Sequence, residues 1–141
     1  MAKKKVFVSF DYENDRHYKN LLVAWDANDN FEFYFNDHSS GEVQTNDISR
    51  VKAALTTKIN QATHTLVIVG KHANTQHKDH KEIGHKNWIN FETAKSKLNS
   101  NKLVGIKLDS THTSPDELLN SGTKWAMSFT QSAIIKALEE A

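Results

Sequence analysis

Apolar runs and helical patterns alternate from one end of this chain to the other, and that alternation leaves few folds open. "VFVSF" (Val6 to Phe10) is an apolar run, after which Tyr18, Leu21, Leu22 and Trp25 recur at i, i+3, i+4 and i+7, one face of a helix. "FEFYF" (Phe31 to Phe35) alternates, with Phe31, Phe33 and Phe35 on one side, and Ile48, Val51, Leu55 and Ile59 trace a second helix. "TLVIVG" (Thr65 to Gly70) is a third strand, followed by a polar loop, Lys71 to Lys81, and a helix from Trp88 to about Asn99. "KLVGIKL" (Lys102 to Leu108) and "WAMSF" (Trp125 to Phe129) complete the strands, and Ile134, Ile135 and Leu138 mark a last helix.

Strict βαβα alternation implies a parallel sheet with helices on both faces. Strands buried on both faces read as continuous apolar runs, while strands open on one face alternate. Strands one, three and four are continuous here, and two and five alternate. The order 2-1-3-4-5, which puts two and five at the edges, fits that pattern. The expected fold is therefore a flavodoxin-like three-layer α/β/α structure with a five-stranded parallel sheet, one domain over residues 1–141.

Composition narrows the partners. A formal net charge of +1 argues against nucleic acid or an anionic membrane, and Lys3 to Lys5 read as a solubilising flank. There is no cysteine, so disulfides, cysteine–zinc sites and thiol nucleophiles are excluded. No apolar stretch approaches the ~20 residues of a membrane span, and no signal-peptide pattern is visible, so a soluble cytoplasmic protein is expected.

Ligands in such sheets bind beyond the carboxyl ends of the strands, where strands one and three diverge. The glycines (Gly41, Gly70, Gly84, Gly105 and Gly122) satisfy neither a P-loop nor a G-x-G-x-x-G fingerprint. Strand three ends "VIVGK", without the aspartate of a phospho-receiver, and "DYENDR" after strand one is no flavodoxin phosphate loop. His72, His77, His80 and His85 crowd one loop but match no zinc spacing, so they read as solvated and no metal site is expected. The segments Asn36–Asp47 and Lys71–Lys81 are polar and are expected to be the least ordered.

Two stretches resemble a known family. "KVFVSFDYEND" resembles the first strand and loop of Toll/interleukin-receptor (TIR) domains, and "NWINFETAKS" their helix in which a Trp is followed four residues later by a Glu. Together with the "WAMSFTQSAIIKALEEA" ending, the chain looks most like the bacterial TIR-like (ThsB-like) proteins of Thoeris antiphage systems. The resemblance implies cleavage of the nicotinamide–ribose bond of NAD+, with NAD+ as substrate and no cofactor. The product would be linear, cyclic or conjugated ADP-ribose that activates a separate effector chain.

By the same resemblance Glu92 is the catalytic carboxylate, Phe10, Asp11 and Tyr12 lie beside the nucleotide, and Trp88 shapes the pocket. The loop after strand one is acidic, so Arg16 or Lys71 has to supply positive charge for the diphosphate. With Asn87 as helix cap, Glu92 is expected in the second turn, in the cleft and clear of the apolar core. Two other readings stay open: a TIR-like module that assembles with itself or a partner without activity, and a sensor that binds nucleotide without cleaving it.

Overall fold

The structure, a computed structural model, describes residues 4–27, 32–35 and 47–141. β1 (Lys4–Ser9), β2 (Phe33–Tyr34), β3 (His64–Val69), β4 (Lys102–Lys107) and β5 (Lys124–Ala126) form one parallel sheet in the order β2-β1-β3-β4-β5. This is the flavodoxin-like order that the strand patterns imply. Val8, Leu66 and Val104 lie side by side across its centre, all fully buried.

Alternate residues of each strand feed two cores, because successive side chains point to opposite faces. Val6 and Val8 of β1 meet Leu22 of α1 (Tyr12–Asp26) and Ile134, Ala137 and Leu138 of α5 (Gln131–Glu140). Phe7, between them, meets Val51, Leu55 and Ile59 of α2 (Ile48–Asn60) and Phe91 of α4 (Trp88–Leu98). The helix starts carry the residues that stop a helix propagating backwards. Asp11, Asp47, Asn87 and Thr130 each accept a backbone N–H of the first turn through the side chain, a contact worth about 1 kcal/mol apiece.

Three expectations need revision. Among the described residues the second strand pairs only through Phe33–Tyr34; its expected start at Phe31 lies outside them, as does the stretch 36–46 of the segment expected to be poorly ordered. The fifth strand covers Lys124–Ala126 rather than Trp125–Phe129. The loop Lys71–Lys81 is held rather than loose. Asn87 Nδ2 donates to the carbonyls of Ala73 and Thr75, both at 2.9 Å, and the His77 N–H donates to the Lys86 carbonyl at 2.8 Å. The loop then runs into a short helix, α3 (His80–Ile83), whose Ile83 is buried. Polar composition hid this because the tethers are amide side chains reaching back from α4. Among the described residues no helix is long and apolar enough to cross a membrane.

Candidate functional site

Beyond the carboxyl ends of β1 and β3 lies a cavity of about 680 Å³. Two helix starts and one loop form its walls. The first wall is Phe10, Asp11, Tyr12, Glu13 and Asn14, the end of β1 and opening of α1. Asp11 is fixed by its capping role: Oδ1 accepts from the Glu13 N–H at 3.2 Å and Oδ2 from Asn14 Nδ2 at 2.6 Å. Arg16 lies over the Tyr12 ring, its guanidinium carbon 5.1 Å from the centroid, and so stiffens that aromatic.

The facing wall combines Asn87, Trp88 and Ile89 of α4 with His72, Thr75, Gln76, His77 and Lys78 of the loop after β3. The first turn of α4 carries no acidic residue, so the positive end of its dipole is not offset there. Asn87 organises this wall. Besides tethering Ala73 and Thr75, its Oδ1 accepts the Asn90 N–H at 2.9 Å. The cavity is therefore acidic and aromatic on one side and electropositive on the other.

Beside the cavity, Asp15 of α1 is buried over the end of β3. A Cβ placed on Gly70 would fall 2.0 Å from Asp15 Oδ2, so only glycine lets the carboxyl approach the strand there. Burial raises Asp15 above the usual carboxylate range; the Asp11 charge adds to this, and His17, His112 and His72 offset it in part. His112 itself lies 3.1 Å from the Val69 carbonyl through Nδ1.

A profile of the TIR-like domain of Thoeris protein ThsB matches residues 7–113. The chain belongs to that family. Its TIR-like fold also resembles a solved structure, the crystal structure of a prokaryotic SEFIR domain, at 17% identity and a TM-score of 0.52. That match covers 98% of this chain and 89% of the other, a likeness that concerns the fold alone. A search of curated proteins gives no match. The chain is thus a defence-related TIR-like module.

Of the residues singled out in the TIR-like motifs, Phe10, Asp11, Tyr12 and Trp88 converge on the cavity. Lys71 is exposed and stands outside its lining. Glu92 departs from the sequence expectation. It is 1% exposed and, instead of opening into the cavity, its Oε1 accepts the Ser9 hydroxyl at 2.7 Å beneath the wall. The i, i+4 spacing does put Trp88 and Glu92 on one helix face. Four residues also advance about 6 Å along the axis, and that step takes Glu92 from the rim to the interior.

There it heads a buried polar seam. Ser96 Oγ bonds the Glu92 carbonyl at 2.8 Å, Thr65 Oγ1 meets Ser96 at 2.7 Å, and Asn101 reaches Thr65 at 3.2 Å. Sequence reasoning passed over Thr75, Gln76, Lys78 and Ser9, and read His72 and His77, which line the cavity, as solvated loop residues. A signal existed for the loop, since a basic run directly after strand three falls where such sheets bind ligands.

Proposed function

We propose that this TIR-like module cleaves NAD+ at the nicotinamide–ribose bond and releases an ADP-ribose-derived signal for a separate antiviral effector. The observation that carries the reading is the two-sided cavity. NAD+ is itself two-sided, with a cationic pyridinium ring and an anionic diphosphate. The pyridinium fits the aromatic and acidic wall of Phe10, Tyr12, Asp11 and Glu13, where cation–π and charge attraction act together. The diphosphate fits the α4 start with His77 and Lys78, where the helix dipole, the Lys78 cation and the polar His77 ring add. Lys78 thus takes the part assigned to Lys71 from sequence.

The chemistry asks little else of the protein. As the C–N bond breaks, its electron pair leaves with neutral nicotinamide and positive charge builds on the ribose. A carboxylate fixed near that ring stabilises the charge, and water or a hydroxyl then takes the vacant carbon. Glu92 supplies the carboxylate once Phe10 and Trp88, on the two facing walls, part and admit the ribose by about one helical turn, ~5 Å. Self-association or a triggering partner is the event that opens it, in the cytoplasm where NAD+ is abundant. No metal or cofactor takes part.

The burial of Glu92 favours a second reading, a module that binds nucleotide or assembles without cleaving. Nicotinamide release from NAD+, followed for wild type and Glu92→Gln with and without an assembly-promoting crowder, separates the two. Release by wild type and a fall of about 10²–10³ in the variant supports the enzyme. NAD+ binding with no release in either form supports the sensor.

A further inference from the structure

We propose that Ser9 is the positioning residue of Glu92, fixing the carboxylate for turnover rather than only satisfying a buried acid. The inference rests on the reading of Glu92 as the group that acts on the ribose. Ser9 closes β1, between β2 and β3, and is 0% exposed. Within the run Val6 to Phe10 it is the one polar residue. It shares a face with Phe7 by strand alternation, and that face meets α2 and α4.

Its hydroxyl donates to Glu92 Oε1 at 2.7 Å across 83 residues of sequence. That is an ordinary length for an O–H···O bond, and once the carboxyl is ionised for turnover the contact becomes charge-assisted and about twice as strong as a neutral one. Phe10, the next residue, lines the cavity. One central strand therefore carries both the cavity wall and the donor that orients the carboxylate behind it. Preorganisation of this kind acts on the transition state, so its loss appears in kcat rather than in KM.

The test compares wild type, Ser9→Ala, Ser9→Thr, Ser9→Cys, Glu92→Gln and the Ser9→Ala/Glu92→Gln double variant for nicotinamide release and denaturant midpoint. Ser9→Ala is expected to lower kcat about 10–100-fold with KM within about 3-fold. Ser9→Thr, which keeps the hydroxyl, should recover most of the rate. If Ser9→Ala does not fold, Ser9→Cys keeps the volume with a weak donor and should show the same kcat loss. The double variant should be no slower than Glu92→Gln alone, because the two residues act as one unit.

An unchanged kcat in folded Ser9→Ala, additive losses in the double variant, or failure of Ser9→Thr to recover rate with its midpoint intact would each overturn the proposal. A rise in rate would overturn it too, showing a bond that restrains the carboxylate. If wild type releases no nicotinamide while the midpoints still couple Ser9 to Glu92, the enzyme reading fails and Ser9 is structural only. If wild type is active and Ser9→Ala matches it, this inference fails alone.

Discussion

Replacing Asn87 by Ala tests whether one side chain holds the electropositive wall together. The change removes the cap on the Asn90 N–H at 2.9 Å and the two donations to the Ala73 and Thr75 carbonyls at 2.9 Å. The lost cap is worth about 1 kcal/mol, and the two carbonyl bonds about 1 kcal/mol each. The sum, about 3 kcal/mol, corresponds to a fall of roughly 6–12 °C in Tm for a chain of this size. Asn87→Ser keeps a capping oxygen and loses the loop tethers, so its loss should be about 2 kcal/mol. Urea unfolding measures both, and amide exchange across Thr75–Lys78 should accelerate in both. A loss under about 1 kcal/mol for Asn87→Ala, with exchange unchanged, would refute the claim that these bonds set the wall.

Three further outcomes follow from the geometry. Gly70→Ala would drive a Cβ to 2.0 Å from Asp15 Oδ2, so it should destabilise by about 1–3 kcal/mol, and Asp15→Ala should relieve much of that; additive losses would contradict the contact. His64 is held below its usual value of 6.5, mainly by burial, with the Lys102 and Lys4 charges adding. The unfolded chain therefore takes up that proton first, so this stability is complete above about pH 6.5 and declines as pH falls towards the folded value; His64→Gln should show a smaller drop in urea midpoint between pH 7.5 and 5.5. Lys78→Ala should weaken NAD+ binding about 3–10-fold, as expected of an exposed charge at the cavity rim, and reduce its salt dependence.

The sheet was legible because burial on two faces and on one leaves different residue patterns. The continuous runs around Val8, Leu66 and Val104 are the central strands, and the alternation of Phe33, Tyr34 and Phe35 marks an edge. The capping role of Asn87 was legible for the same local reason, a polar side chain just ahead of a helix. Boundaries were less so: Met127 and Phe129 continue the pattern of β5 after its pairing to β4 has ended. The site divides the same way. Phe10 to Tyr12 and Trp88 came from the resemblance to TIR motifs, whose residues fall at a strand end and a helix start. The depth of Glu92 depends on how far α4 slides over the sheet, and the basic wall depends on tethers from Asn87. Both are tertiary choices that no short window of sequence carries.

The most direct test of the account is a single-turnover measurement with enzyme in excess of NAD+, following nicotinamide and binding together. The account predicts that wild type, measured with the assembly-promoting crowder that opens the wall, converts bound NAD+ to nicotinamide and an ADP-ribose product. Glu92→Gln should bind NAD+ within about 3-fold of wild type yet convert it at least about 100-fold more slowly. Equal conversion by the two proteins would contradict the assignment of Glu92, and NAD+ binding without conversion by wild type would contradict catalysis at this cavity.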